Sequence, residues 1–390
     1  MVKFYVRPLE FSYGSDAKRS VKQKLAKKLC GRNDISFSKL EIIKRDKTVK
    51  KKIIHIHDLK KIELKNQNKI KNLIENLISK RKPYLGINLD SPRLFGILNI
   101  TPDSFSDGGL YYKKNLAVSH AKKLIQDGAD VIDIGGESTR PGAKLISVNE
   151  EKKRILNIIK NLKKFKISAD TRKSEVMIDS IKNGAKIIND ISGLDYDKKS
   201  INVILRFKPN IILNHSKGTP QTMQKNPKYK NVLLDIYDYL ENKINSLINH
   251  GIKKDKIIID PGIGFGKNLE HNLKLMSHIG IFHALGCPIM LGSSRKSFIA
   301  KIMKDKVTHN RIGGTIASII TGANQGVQFF RVHDIASVKE ALNINQSLIN
   351  IGPKEDNFFF LKPFFGFEYT SDKACLLYTS PSPRDRQKCR

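Results

Sequence analysis

The stretch Ile167 to Asp190, ISADTRKSEVMIDSIKNGAKIIND, decides how the rest of the chain is read. Ile167–Asp170 is a short, mostly apolar run ending in an acid, as a parallel strand buried on both faces should be. Glu175–Asn183 then spaces its apolar residues as a helix does, and Gly184 stands where that helix should stop. Ile187–Asp190 returns to the strand pattern. The same alternation continues in both directions. Strands are expected at Leu94–Asn99, Val131–Ile134, Ile211–Asn214, Ile257–Asp260, Ile289–Gly292 and Phe329–Val332. Helices are expected at Leu116–Asp127, Val148–Lys164, Val232–His250, Leu269–Leu285, Arg311–Ala323 and Val338–Asn350, with Ser147-Val-Asn-Glu150 as a capping box. Eight such units in about 260 residues predict an α/β fold, an eight-stranded parallel β/α barrel of the TIM type.

Three regions follow. Residues 1–90 are Lys-dense, with possible strands at Leu40–Lys44 and Lys52–His57 and a helix near Asn68–Ser79, and read as a small amino-terminal appended subdomain. Residues 91–353 hold the barrel. Residues 354–390 form a tail whose end, including Ser380-Pro-Ser-Pro-Arg-Asp-Arg-Gln387, has no hydrophobic periodicity, is expected to be disordered, and resembles translated adaptor sequence.

The formal net charge of +34 comes from 71 Lys and Arg against 37 Asp and Glu. Lysines recur in every helical stretch together with Ile and Asn, so a solvated basic surface explains them better than a nucleic-acid or membrane partner. The resulting field would still concentrate an anionic small substrate. No run reaches the ~18 apolar residues of a membrane span, and the start lacks a secretory apolar core, so a cytoplasmic protein is expected. The four cysteines, Cys30, Cys287, Cys375 and Cys389, show no paired framework or zinc spacing. His55 and His57, two apart on a strand, read as surface or packing residues.

In a barrel of this type the chemistry sits at the C-terminal strand ends. Those ends carry Asn99, Asp133 leading into Glu137–Arg140, Asp170 with Arg172, Asn189-Asp190, Asn214-His215, Asp260, Ser293–Lys296 and Arg331-Val-His-Asp334. Buried charges are costly unless paired, so although any one may be internally satisfied, the set indicates an active site. Asp170, Asn189, Asp260 and Lys296 offer acceptors and a donor for a flat heterocycle bearing an amino group, ring N–H groups and a carbonyl. Arg140, Arg331 and His333 suit an anion such as pyrophosphate, and Asn99 could give a neutral oxygen to Mg²⁺ carried on it. Asp260-Pro-Gly-Ile-Gly-Phe-Gly-Lys267 fails phosphate-loop spacing and reads as a tight turn that lets backbone approach a ligand. The loops Thr101–Gly109 and Gly135–Gly142 are long enough to close over substrate.

Seven segments together resemble the dihydropteroate synthases: Asn99-Ile-Thr-Pro-Asp-Ser-Phe-Ser-Asp-Gly-Gly109, Asp133-Ile-Gly-Gly-Glu-Ser-Thr-Arg-Pro-Gly142, Asp170-Thr-Arg-Lys173, Asn189-Asp-Ile-Ser-Gly193, the Asp260–Lys267 loop, Ser294-Arg-Lys-Ser297 and Arg331-Val-His-Asp334. The resemblance covers the barrel and implies condensation of 6-hydroxymethyl-7,8-dihydropterin pyrophosphate with p-aminobenzoate, using Mg²⁺, in a homodimer. It implies that Asp170, Asn189, Asp260 and Lys296, with Thr139 beside them, hold the pterin. It implies that Asn99 binds Mg²⁺, that Arg140, Arg331 and His333 engage the pyrophosphate, and that Phe105, Asp107, Arg140 and Pro141 enclose p-aminobenzoate. The carboxylate of p-aminobenzoate would lie near Ser297 at a helix N-terminus, and Asp107, Arg140 and Lys296 would stand nearest the chemistry. Ser174 and Asn214-His-Ser-Lys-Gly-Thr-Pro220 depart from the family pattern. Two other readings fit these segments less well. A methyltetrahydrofolate-dependent corrinoid methyltransferase would have no pyrophosphate to hold, and a silent basic nucleic-acid-binding homologue would not need an intact substrate set.

Overall fold

The computed structural model describes residues 2–61, 67–101, 110–138, 143–218, 222–223, 226–304 and 311–351. The amino-terminal segment contains β1 (Lys3–Tyr13), α1 (Gly14–Lys22), β2 (Lys27–Lys28), β3 (Ile35–Arg45), β4 (Val49–His55) and α2 (Gln67–Ile78). The barrel begins with β5 (Arg93–Asn99), α3 (Leu110–Gln126), β6 (Val131–Gly135), α4 (Val148–Asn161), β7 (Ile167–Asp170) and α5 (Ser174–Lys182). It continues with β8 (Ile187–Asp190), α6 (Ser200–Phe207), β9 (Asn210–Asn214), α7 (Val232–Asn249), β10 (Ile257–Asp260) and α8 (Leu269–Ser277). It ends with β11 (Met290–Leu291), α9 (Ser297–Met303), α10 (Ile312–Asn324), β12 (Phe329–Val332) and α11 (Ile335–Ile351).

The eight strands β5 to β12 form a parallel sheet in the order β10-β9-β8-β7-β6-β5-β12-β11. A parallel bridge between Ile259 and Ile289 joins the two ends, so the sheet curls into a barrel. Inside it, Phe95, Val131, Ile187, Ile212, Ile258, Met290 and Phe329 make one apolar layer from seven strands. Tyr84, Ile87 and Leu89, from the segment before β5, plug this layer at the N-terminal end of the strands. Tyr84 meets Phe329 edge-on at 5.5 Å, and Phe329 meets Phe95 at 5.3 Å. A second, larger core lies between the sheet and the surrounding helices.

Two expectations about elements need correction. The helix foreseen at Leu269–Leu285 ends at Ser277, because Ser277 Oγ and His278 Nδ1 both bond the Lys274 carbonyl, at 3.2 and 3.1 Å, and a 3₁₀ stretch, Ile279–Leu285, takes over. In the appended segment, β3 runs through the centre of a small antiparallel sheet with β1 on one side and β2 and β4 on the other. β1 was not foreseen, since its charges hide the strand pattern. Arg7, for example, is answered across the sheet by Glu41 at 2.8 Å, a partner 34 residues away. Pro8 is tolerated because β1 is an edge strand. His55 and His57 stack at 5.2 Å.

The appended sheet docks on α7. Tyr5 is fully buried, packs edge-on against Tyr237 at 5.1 Å, and donates its hydroxyl to Asp238 at 2.9 Å. Arg45 pairs with Asp235 at 2.7 Å, and Lys3 reaches Asp238 and Glu241.

The Tyr84 plug separates volume from polarity, because its buried hydroxyl has no hydrogen-bond partner among the described residues. Tyr84→Phe should leave stability unchanged or raise it by up to about 1 kcal/mol, whereas Tyr84→Ala should cost about 3–5 kcal/mol through the cavity it opens. Urea midpoints check this, and a Phe variant as damaged as the Ala variant would show that the hydroxyl matters.

Candidate active site

Side chains on a strand alternate with a period of two, so residues two beyond the apolar layer also point into the barrel. Those residues are Asp133 after Val131, Asp170 after Ser168, Asn189 after Ile187, Asn214 after Ile212, Asp260 after Ile258, Gly292 after Met290 and Arg331 after Phe329. The apolar layer is thus roofed by a polar one at the C-terminal strand ends.

Arg331 organises this roof. Its Nε donates to Asp133 Oδ2 at 2.5 Å and its Nη2 to Asp170 Oδ2 at 2.7 Å. Asn189 Nδ2 donates to the same Asp133 oxygen at 3.0 Å, and Asn214 Nδ2 donates to Asn189 Oδ1 at 2.8 Å, so both amides are oriented. Burial raises the Asp170 carboxyl to about 7, with Arg331 opposing and the like charge of Asp133 adding. Arg331 keeps its proton despite burial, because Asp133 and Asp170 face it.

Across the mouth, burial raises Asp260 against the opposing charge of Lys296, and burial lowers Lys296 to about 8 against Asp260. Lys296 donates to the Ile263 carbonyl and lies 4.2 Å above the Phe265 ring. Glycine keeps the centre open. A Cβ on Gly292 would stand 3.5 Å from Asp260 Oδ2 and 3.9 Å from Lys296 Nζ. On the other side, a Cβ on Gly135 would stand 3.5 Å from both Asn99 Oδ1 and Asp170 Oδ2. The mouth therefore gathers two carboxylates, one amide and one ammonium around glycines that carry no side chain.

His333 takes its place through Ser294, whose Oγ lies 3.0 Å from His333 Nδ1. Ser297 is the first residue of α9 and is exposed. Asp190, by contrast, folds its own loop, accepting from Ser192 N at 2.7 Å, Ser192 Oγ at 2.6 Å and Leu194 N at 3.2 Å. Phe105, Asp107, Thr139, Arg140 and Pro141 lie outside the described residues. The glycine loop after β10 is shaped by protein rather than by ligand alone, since a Cβ on Gly262 would meet the His215 carbonyl at 1.9 Å.

Several residues escaped the sequence reading. Asp133 was seen at a strand end but given no role; its place two residues after Val131 is the signal that puts it inside the barrel. Lys267 is buried and reaches His215 Nδ1 at 3.0 Å and the Phe265 carbonyl at 2.9 Å, and burial depresses both its pKa and that of His215. Below the loop that contains Thr139 and Arg140, Glu137 accepts from Arg172 and Lys173, each at 3.0 Å, and from the Ile146 backbone at 3.3 Å. Lys173 also pairs with Glu151 at 2.6 Å. These contacts fix both ends of that loop.

Among the described residues no group of three His, Cys, Asp or Glu is arranged to hold a metal. Mg²⁺ bound through a substrate phosphate needs less, because it keeps several waters. The Asn99 carboxamide oxygen, opening on the gap left by Gly135, fits such a single contact.

Comparison with known proteins agrees with this geometry. Residues 95–333 match the family model described as pterin binding enzyme. A dihydropteroate synthase of Escherichia coli is 40% identical over 267 residues, which cover 68% of this chain and 94% of that protein. The structure of the Yersinia pestis dihydropteroate synthase with a sulfonamide drug superposes with a TM-score of 0.63 at 38% identity, covering 67% of this chain and 95% of that one. The Xanthomonas albilineans dihydropteroate synthase with 4-aminobenzoic acid gives a TM-score of 0.63 at 36% identity, covering 67% and 94%. With its family model spanning the barrel and relatives matched over nearly their whole length, the chain belongs to the pterin binding enzymes, among the dihydropteroate synthases.

Proposed function

We propose that this chain condenses 6-hydroxymethyl-7,8-dihydropterin pyrophosphate with p-aminobenzoate, releasing pyrophosphate and forming 7,8-dihydropteroate. The observation that carries the reading is the inward layer that brings Asp170, Asn189, Asp260 and Lys296 together beside Arg331 at the C-terminal strand ends. Asp170 and Asp260 accept from the amino group and ring N–H groups of the pterin, Asn189 adds an amide contact, and Lys296 donates to the ring carbonyl. Arg331 and His333, with Arg140 from the loop after β6, receive the pyrophosphate. The bond between the pterin methylene carbon and the pyrophosphate oxygen breaks with its electrons going to oxygen. The p-aminobenzoate nitrogen then bonds to that carbon and loses a proton. Fixed donors and charges do this work, with no protein nucleophile. Mg²⁺, held through the pyrophosphate and Asn99, would supply further neutralisation of the leaving group.

The aromatic amine is read as lying among Phe105, Asp107, Arg140 and Pro141, with its carboxylate toward Ser297. A cytoplasmic location completes the reading. Among the described residues no helix is long and apolar enough to cross a membrane, and Cys30 and Cys287 are unpaired.

A homodimer is also inferred. Leu273, Ile302 and Met303 are 41%, 50% and 67% exposed, around an apolar groove of about 350 Å³ between α8, α9 and α10, which supports a second copy of the chain as its cover. Ile302→Glu with Met303→Glu should then shift the protein to monomer in sedimentation, and an unchanged mass would remove this face from consideration.

Incubating the protein with the pterin pyrophosphate, p-aminobenzoate and Mg²⁺ should yield dihydropteroate. Asp170→Asn should abolish binding of the pterin pyrophosphate by calorimetry. Arg331→Ala should lower turnover by about 10²–10³. It should also weaken the fold by about 3–5 kcal/mol, because Asp133 and Asp170 lose their buried partner. Wild-type rates in Arg331→Ala would place the anion site elsewhere.

The charges also set a pH window. Asp170 accepts only when ionised, so pterin capture should fall as pH drops through about 7, and Lys296 donates strongly only when protonated, so it should fall again above about 8. The profile of kcat/KM for the pterin substrate should be a narrow bell, and Lys296→Met should erase its alkaline limb. An alkaline limb that survives in Lys296→Met would assign it to another group.

A further inference from the structure

A second basic cavity lies at the opposite end of the barrel. It measures about 440 Å³ and is bounded by the segment that follows α2 and by the loops that enter β10 and β11. Its walls carry Lys80, Arg81, Lys82, Lys253 and Lys254 against one carboxylate, Asp255. A protein this basic has many lysines on its surface, but most of those stand free in water, and two of the cations here do not.

Arg81 is buried, with 7% of its surface exposed. Its Nη1 donates to the Ser79 carbonyl at 3.0 Å and its Nη2 to the His283 carbonyl at 2.9 Å, so the guanidinium is pinned by main chain and faces no carboxylate there. Its Nε is buried with no hydrogen-bond partner among the described residues. A buried cation answered only by neutral carbonyls is costly, and an anion in the adjoining cavity would offset that cost.

Lys254 is partly buried beside it. Gly286 makes the room: it adopts a left-handed φ of +77°, and a Cβ there would fall 2.4 Å from Lys254 Nζ and 2.7 Å from Asn76 Oδ1. Burial lowers the pKa of Lys254, with Arg81 adding and with Cys287 and Glu241 opposing, so the two cations crowd each other. The one carboxylate on the wall is already engaged, since Asp255 takes Lys82 at 3.4 Å. Lys80 turns outward to Asp90 at 3.1 Å.

We propose that this cavity is a second anion site, taking a small organic phosphate with at least two phosphate charges. The cation excess calls for more than one negative charge, and the volume exceeds what a single inorganic phosphate fills. Arg81 supplies fixed donors, Lys254 a partly desolvated ammonium, and Lys253 an exposed charge at the rim. Its walls come from both the appended segment and the barrel, so an occupant would tie the two together.

Calorimetry with inorganic tripolyphosphate, without Mg²⁺, tests this. Because the catalytic mouth also holds cations, Arg331→Ala serves as the background in which that mouth is disabled. In that background tripolyphosphate should still bind. Adding Lys254→Gln should weaken it by about tenfold or more, the loss of one charge-assisted contact. Adding Lys50→Gln with Lys52→Gln, two exposed lysines on β4, should change little and controls for net charge. Thermal unfolding keeps the result readable. Tripolyphosphate should raise the midpoint of the wild-type chain, and Lys254→Gln should fold normally but show a smaller rise. Binding that vanishes in an Arg331→Ala chain still folded by circular dichroism, or a tripolyphosphate-induced rise in the wild-type midpoint that is equal with and without Lys254, would overturn the proposal.

Discussion

Two carboxylates from neighbouring strands cannot sit inside a barrel together unless a cation holds them. Asp133 on β6 and Asp170 on β7 would repel each other and lose their hydration, each worth several kcal/mol in a low-dielectric interior. Arg331 reaches both from β12, across β5, whose inward residues Phe95 and Ile97 are apolar. One guanidinium therefore ties the order of three strands to the polarity of the mouth. The tie is also chemical. A heterocycle that takes the Asp170 oxygen competes with Arg331 for it, and a guanidinium released from Asp170 is free to turn to an arriving anion. Under the proposed function, ring binding and leaving-group capture would be linked through the Arg331–Asp170 hydrogen bond.

The supports beneath the mouth follow the same logic. Glu137, Arg172, Lys173 and Glu151 form a chain of buried ion pairs at the base of the loop after β6. Burial works against the Glu137 charge, yet Lys173 and Arg172 hold its carboxyl below the usual range. Arg172 also lies 4.0 Å above the Tyr196 ring, which ties this chain to the loop after β8. Lys267 and His215 do the reverse. Burial lowers the pKa of both, and Lys267 Nζ reaches His215 Nδ1, the His215 carbonyl and the Phe265 carbonyl, so the pair braces the loop after β10 by hydrogen bonds. Positioning in this barrel is split between a collar of ion pairs and a hydrogen-bonded brace.

The barrel was legible because its evidence is local. Ile167–Asp190 contains a strand, a helix, a glycine stop and a second strand within one window, and each element obeys its own period. The polar strand ends were legible for the same reason, since Asp170, Asn189-Asp190 and Asp260 close their strands. What stayed hidden depends on contacts far apart in sequence. β1 makes sense only beside β3, and the split of the helix at Ser277 depends on side chains competing for one carbonyl. The pairing of Arg331 with Asp133 spans 198 residues and leaves no periodic trace. Ser147 was foreseen as half of a capping box, but only that half forms. It accepts from Glu150 N at 3.2 Å, while the Glu150 carboxylate turns to Arg154 at 2.9 Å.

The excess of cations gives the scarce acids a meaning that an ordinary composition would blur. With 71 basic residues against 37 acidic ones, the chance neighbour of any charged group is a cation. Yet carboxylates gather at the C-terminal strand ends as Asp133, Asp170 and Asp260 inside the barrel and Asp190 in the loop after β8, in the collar as Glu137 and Glu151, and along the docking face of α7 as Asp235, Asp238 and Glu241. Drift toward lysine on a solvated surface accounts for where the cations are. It does not account for where the acids are, since Asp190 and Asp260 are almost fully buried and burial raises both carboxyls. Each cluster instead does something geometric: it orders a mouth, anchors a loop, or holds the appended sheet against the barrel. The cavity below the barrel inverts the pattern: Arg81 is buried there against main-chain carbonyls and the walls carry one acid, Asp255, so the proposed occupant would bring the negative charge that the other clusters find within the chain.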